Sequence, residues 1–184
     1  QVGRLVGKTD GSIIEEFEEQ FSRFVGDGGS VAFAAARMGF FELMRLRGVQ
    51  KGDEVILQGA TCSVMVNAVL RLEAKPVFSD IDPDTFGSCG RSIKRCITSR
   101  TRMIVAQHSF GIPCDIEPIV KLARHHNIFL LEDCALSFGS SIGSVTVGNF
   151  GDAALFSTDH TKPINTVIGG VIYTKNKNLF RDLK

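Results

Sequence analysis

Asp133 ends the apolar run that begins at Ile128, and Ser157 and Lys162 follow in the segment FSTDHTK. A carboxylate at the end of a buried strand can face the nitrogen of a pyridine ring and keep it protonated, so that the ring accepts electrons from a carbanion. A lysine held beside such a cation and drawn partly out of water loses its proton more readily, and the free amine condenses with an aldehyde. A serine hydroxyl donates to phosphate. Together the three describe a site for pyridoxal 5′-phosphate. Each also has a plainer reading: Asp133 as a helix N-cap, Lys162 as a solvated charge, Ser157 as an ordinary strand-end serine.

Arg37 and Met38 open a helix just after the first apolar strand, Val31 to Ala35. Unpaired amides and the helix dipole at that place suit a phosphate, although any strand-to-helix turn offers as much. The same turn, AAARMG, lacks the GxGxxG pattern of a dinucleotide site.

The elements that must carry these residues follow a regular rhythm. Apolar positions 13, 14, 17, 21, 24 and 25 mark one helical face, with Glu15, Glu16, Glu18 and Glu19 at its sides. Strands are expected at Glu54–Leu57, Pro76–Ser79, Met103–Ala106, Ile128–Leu131, Asp152–Ser157 and Gly169–Thr174. Helices fall at Met38–Leu46, Ser63–Leu72, Ser92–Ile97 and Ile116–His126. Continuous apolar strands alternating with helices predict an α/β fold with a mainly parallel sheet sandwiched by helices. In such a sheet ligands collect beyond the carboxyl ends of the strands, where Arg37, Thr61, Cys62, His108, Glu132, Asp133 and Ser157 all fall.

The 184 residues contain 21 Lys and Arg against 20 Asp and Glu, for a net charge of +1. That balance gives no electrostatic case for nucleic acid or an anionic membrane. No apolar run reaches the roughly 18 residues that span a bilayer, and Gln1–Thr9 lacks the apolar stretch of a signal peptide. A cytoplasmic protein with one domain and no internal linker is expected. The five cysteines form no CxxC pair, which fits reduced thiols rather than disulfides or zinc, and no metal site is expected. Cys134 reads as a small core residue. His125 and His126 close a helix, where cationic side chains offset the dipole. Asp80, Asp82 and Asp84 read as a strand-to-turn exit, because a calcium loop needs a turn glycine and a later glutamate. His160 borders Lys162 in sequence.

The ordered stretches GDEVIL, AKPVFSDIDPDTF, QHSFGIPCDI, LLEDCALSFGS, GNFGDAALFS and the lysine segment closing in Gly169–Gly170 resemble the DegT/DnrJ/EryC1/StrS family of pyridoxal-phosphate-dependent sugar aminotransferases. The resemblance covers about Val31 to Thr174. It implies an incomplete large domain of the aspartate-aminotransferase-like fold (fold type I), without the C-terminal small domain, and a homodimer. It makes Lys162 the lysine that carries the cofactor, Asp133 the partner of the ring nitrogen and Ser157 the phosphate-binding serine. His108 falls beside the cofactor, and the family's phosphate turn falls on Ala36, Arg37 and Met38.

Three positions depart from the family pattern. Arg37 stands where threonine is common, Cys62 where an aromatic ring stacks on the cofactor, and Leu136 where Gln or His contacts the ring hydroxyl. The implied reaction moves an amino group from an amino acid, glutamate in most of the family, to a keto group of a nucleotide-linked sugar. Two other readings stand beside it: a non-catalytic half-length homologue that needs a partner chain, and a sugar dehydratase. Lys162 argues against the last, since the family's dehydratases carry histidine there.

Overall fold

The computed structural model describes residues 11–184. In chain order the elements are α1 (Ser12–Val25), β1 (Gly29–Phe33), α2 (Ala36–Leu46), β2 (Glu54–Gln58), α3 (Ser63–Leu70), β3 (Lys75–Ser79), α4 (Gly90–Cys96), β4 (Thr101–Gln107) and α5 (Ile116–His126). There follow β5 (Phe129–Asp133), the short β6 (Ser141–Ile142) and β7 (Val145–Thr146), then β8 (Ala153–Ser157), β9 (Gly170–Thr174) and α6 (Lys177–Leu183).

Seven strands form one sheet in the order β1-β9-β8-β5-β4-β2-β3. Pairing is parallel from β3 through β2, β4 and β5 to β8, while β9 runs antiparallel to both β8 and β1. Six strands therefore share one direction and one, β9, opposes them.

The continuous apolar runs have a direct cause: each central strand is buried on both faces. Val55, Leu57, Met103, Val105, Leu131 and Leu155 point to one side, where Phe40, Leu43, Met44, Met65 and Val69 of α2 and α3 pack. Ile56, Ile104, Ala106 and Leu130 point to the other, against Ile93 of α4 and Ile116 and Ile119 of α5. On that second side, beneath β8 and β9, Phe21 and Val25 of α1 meet Phe156 and Tyr173. Helix α5 buries Ile116, Ile119 and Ala123, positions that share one face of a 3.6-residue turn. It ends at Asn127, which adopts the left-handed conformation at φ 53° that closes helices.

Two local expectations change. Glu18 lies inside rather than at the side of α1: it is buried, its carboxylate accepts the Ala32 amide at 2.7 Å, and it pairs with Lys184. The β6–β7 hairpin between β5 and β8 had no period-2 signal, since each strand has two residues. Asp82 behaves as a turn residue, its Oδ1 accepting the amides of Asp84 and Thr85 at 3.0 and 3.2 Å.

After β2 the chain steps outward to β3 and then crosses back to β4 on the other side of β2. The order of strands therefore reverses between β2 and β4, which is where an open α/β sheet forms a crevice at its carboxyl edge.

Candidate functional site

At the carboxyl edge lie two adjoining clefts that share four residues: Cys62, Asp133, Ala135 and Lys162. The first, about 240 Å³, runs toward Ala35, Ala36 and Arg37 at the start of α2 and toward Ser157 at the end of β8. The second, about 450 Å³, runs between β2 and β4 toward Gln58, Gln107, His108 and Phe110. Strands β5 and β8 are neighbours in register, so Asp133 lies opposite Leu155 and the two site-bearing loops leave the sheet side by side.

Asp133 is 5% exposed. Its Oδ1 accepts the Ala135 amide at 3.0 Å, a turn bond, and no helix follows within Cys134–Ser140, so the N-cap reading of this residue fails. Burial is the largest influence on its carboxyl and raises the pKa above the usual carboxylate range. The Ala135 amide and the nearby Lys162 charge pull the other way. A buried carboxyl so perturbed favours a cationic partner, and a protonated ring nitrogen is one.

Lys162 is half-buried, its backbone held by a bond from its amide to the Asp159 carbonyl at 2.9 Å. It is no free surface charge, because its side chain lines both clefts. Ser157 is also half-buried. Its hydroxyl oxygen accepts only a long bond from the Asp159 amide, at 3.5 Å, which leaves its proton to donate.

The start of α2 is built for an anion. Its N-cap, Ala35, is extended and no side chain caps the first turn, so its leading amides lack intrahelical acceptors. Gly170 makes the approach possible: a Cβ there would lie 2.2 Å from the Ala36 nitrogen. Arg37 is exposed and, among the described residues, has no carboxylate partner. Amides, an unpaired guanidinium and the Ser157 hydroxyl thus face one space, and a phosphate group fits their chemistry.

Met38 does not reach this space. It lies in a separate groove of about 660 Å³ with Phe33, Phe41 and Arg71. Each helical residue turns by about 100°, which carries the third residue of the turn away from the cleft. Its amide is also spent on the Ala35 carbonyl, at 2.9 Å. Cys62 is exposed and lines both clefts, and Leu136 lines the second. His160 is exposed and pairs with Asp159 at 2.7 Å rather than lining either cleft.

His108 has 0% exposure and both ring nitrogens engaged. Nδ1 accepts the Cys114 amide at 3.0 Å, so the ring proton sits on Nε2 and points to the Glu132 carboxylate at 3.2 Å. Glu132 also accepts the amides of Gly148, Phe150 and Gly151 at 2.7–2.8 Å. An imidazole with both nitrogens so engaged has none free for acid–base work. The donor atoms of His108, Glu132 and Cys134 lie within 4.8 Å of one another. They do not suit a metal, since the carboxylate is filled by amide donors and burial pushes the Cys134 thiol well above its ordinary value.

Sequence reasoning missed Ala35, Thr161 and Gly169 in the first cleft. Alanine and glycine carry no functional group and show themselves only by position.

A sequence model of the DegT/DnrJ/EryC1/StrS aminotransferase family matches residues 6–184. The chain is 36% identical over 178 residues to a GDP-perosamine synthase of Escherichia coli O157:H7, covering 97% of this chain and 47% of that protein. It is 33% identical over 171 residues to the L-glutamine:2-deoxy-scyllo-inosose aminotransferase of Streptomyces fradiae, covering 91% of this chain and 40% of that one. Among solved structures, NtdA of Bacillus subtilis with bound cofactor PMP superposes with a TM-score of 0.87 at 26% identity, over 95% of this chain and 40% of that one. The chain spans about half the length of the curated relatives it matches, and its sheet is the aspartate-aminotransferase-like one of fold type I, in incomplete form. By sequence and by fold, the chain belongs to the DegT/DnrJ/EryC1/StrS aminotransferase family.

Proposed function

We propose that residues 1–184 are part of the large, cofactor-binding domain of a pyridoxal-phosphate-dependent aminotransferase, and that the small domain lies outside them. The observation that carries this reading is the convergence of Lys162, Asp133, Ser157 and the start of α2 on one cleft. When bound there, the cofactor supplies an aldehyde for the amine and an electron-accepting ring.

The chain's own residues divide the remaining work. Asp133 holds a proton on the ring nitrogen by keeping a buried negative charge against it. Ser157, Arg37 and the first amides of α2 hold the phosphate. Lys162 would hold the cofactor's aldehyde, and its Nζ would serve as acid and base in turn at the donor's α-carbon. Cys62 and Ala135, which line both clefts, bound the space between them.

The amino donor we infer is glutamate, and the acceptor a keto group on a nucleotide-linked sugar, in line with the sugar- and cyclitol-directed relatives. Exposed Val167 and Ile168, 74% and 62% accessible in the loop that carries Lys162, support a homodimer that covers this rim. Unpaired cysteines support a cytoplasmic location. Among the described residues no helix is long and apolar enough to cross a membrane. Incubating the full chain with cofactor, glutamate and a GDP-linked 4-keto-6-deoxyhexose tests the reaction. Mass spectrometry is expected to find the amino sugar with wild type and none with Lys162→Ala; equal product from both contradicts the assignment.

A further inference from the structure

The chain leaves β8 at Ser157 and rejoins the sheet at Gly170, so residues 158–169 carry Lys162 across the carboxyl edge. A free loop of this length samples many conformations, and a lysine on it would reach the clefts only part of the time. Two hydroxyls prevent this. We propose that Thr158 and Thr166 are positioning residues for Lys162: they clasp the neck of its loop and so hold Nζ where the two clefts meet. The proposal rests on the cofactor-lysine reading and names the residues that act through that lysine.

The clasp is specific in its bonds. Thr158 is 2% exposed. The Thr166 amide donates to the Thr158 carbonyl at 2.9 Å, and the Thr158 amide to the Gly169 carbonyl at 3.1 Å. The two hydroxyl oxygens stand 2.7 Å apart. Thr166 Oγ1 also lies 3.1 Å from the carbonyls of Thr158 and Ile168. A hydroxyl has one proton, so Thr166 gives its own to these carbonyls and receives that of Thr158. Each hydroxyl then has a defined partner, and removing either one breaks the chain of bonds.

Because the clasp joins 158 to 166, the open span shrinks to residues 159–165, with Lys162 at its middle. Within that span the Lys162 amide donates to the Asp159 carbonyl at 2.9 Å. Beyond the clasp the backbone is strained. Val167 has φ 71°, a left-handed conformation that a β-branched residue rarely adopts. It is 74% exposed, so packing within the chain does not impose this. The bonds on either side do: Asn165 Oδ1 accepts the Val167 amide at 2.7 Å, and the Thr166 hydroxyl holds the Ile168 carbonyl. Strain persists only where its surroundings over-determine it, and it gathers at functional sites. Gly169 completes the neck, where a Cβ would stand 2.4 Å from Thr158 Oγ1 and 2.9 Å from Thr166 Oγ1.

The chemical consequence is a rate. Lys162 Nζ bonds to the aldehyde carbon of pyridoxal phosphate while the aldehyde oxygen leaves as water. How often the amine stands within reach sets the speed of that step. Asp133, Ser157 and the start of α2, which hold the rest of the cofactor, lie outside the clasp. Loss of the clasp therefore slows attachment and leaves the non-covalent affinity in place.

The test measures the two quantities separately on the full chain. Pyridoxine 5′-phosphate, which carries an alcohol in place of the aldehyde, reports affinity alone by equilibrium titration. Saturating pyridoxal phosphate reports attachment, by the rate at which its visible band grows. Thr166→Val keeps the shape and removes the hydroxyl. Its attachment rate is expected to fall about tenfold, with affinity for the alcohol within about twofold of wild type. Thr166→Ser returns the hydroxyl and is expected to return the rate. Thr158→Val, a change of the same shape in a buried place, is expected to slow attachment as well, and it carries the test if Thr166→Val does not fold.

Attachment at the wild-type rate in both valine variants overturns the proposal. So does an equal loss of rate and affinity, which marks a structural role alone, and so does a Thr166→Ser variant as slow as Thr166→Val. Absence of any visible band in wild type is a separate result: it removes the cofactor-lysine reading itself, and this proposal with it.

Discussion

Nε2 of His108 lies 3.2 Å from the Glu132 carboxylate, and neither side chain has any solvent exposure. Glu132 joins β5 to the loop Gly148–Gly151 and, through His108, to the segment that carries Cys114. The next residue on β5 is Asp133, whose carbonyl accepts the His108 amide at 3.0 Å. The pair therefore fixes the strand end from which the ring-binding carboxylate projects. A buried charge supplied with several donors is stable only while all of them stay in place.

Glu132→Gln keeps the size of the side chain but turns one acceptor oxygen into a donor NH2, which must face either His108 and Gly148 or Phe150 and Gly151. Unfolding free energy is expected to fall by about 3 kcal/mol, measured by urea denaturation. A loss well under 1 kcal/mol would show that the carboxylate is not the anchor described.

Asp133 trades stability for function. Its pKa is raised on folding, so between the unfolded value near 3.8 and the folded one the native state binds more protons than the unfolded chain. Stability without cofactor then falls as pH rises through that window and is greatest below it. Asp133→Asn removes this titration and is expected to flatten the fall of the cofactor-free unfolding free energy with rising pH. The same variant is expected to bind pyridoxal phosphate at least tenfold more weakly, by equilibrium titration. A variant that keeps the pH dependence and binds normally contradicts both halves.

Gly170→Ala asks whether the start of α2 is the phosphate seat. The added methyl lies 2.2 Å from the Ala36 nitrogen and 2.3 Å from its Cα, which are backbone atoms that cannot turn aside. Affinity for pyridoxal phosphate is expected to fall by more than tenfold, while affinity for phosphate-free pyridoxal falls far less. Equal losses for the two ligands would move the phosphate elsewhere.

Cys62 occupies the wall common to both clefts and is the exposed thiol among the five, whereas burial lifts Cys114 to about 12 and Cys134 well above its ordinary value. An aromatic thiol reagent is expected to label Cys62 quickly and the two buried thiols only on unfolding, with bound cofactor slowing the first reaction. Cys62→Phe restores a stacking face and is expected to tighten cofactor binding about threefold to tenfold. Unaltered labelling in saturating cofactor would place the ring away from Cys62.

Much of this arrangement was legible before the fold was seen. Strands buried on both faces announce themselves as unbroken apolar runs, as in EVIL and FLLED, and the polar residue ending each run marks the rim. That is why Lys162, Asp133, Ser157 and Cys62 meet where their spacing placed them. What the pattern hides is direction and pairing. β9 reads as one more apolar strand, yet it runs opposite to its neighbours. His108 looks like a rim histidine, but its partner Glu132 sits on the next strand, and no spacing rule links them. Met38 misses the cleft because a helix rotates each successive side chain, a matter of angle that adjacency in sequence does not convey.

The central claim is that Lys162 carries the cofactor, and covalent trapping tests it most directly. Pyridoxal phosphate is added to the full chain, the product is reduced with borohydride, and the digested peptides are weighed by mass spectrometry. The account predicts one phosphopyridoxyl group, on the peptide containing Lys162, and no such group in Lys162→Ala. Trapping on a different lysine, or none on wild type at saturating cofactor, would contradict it.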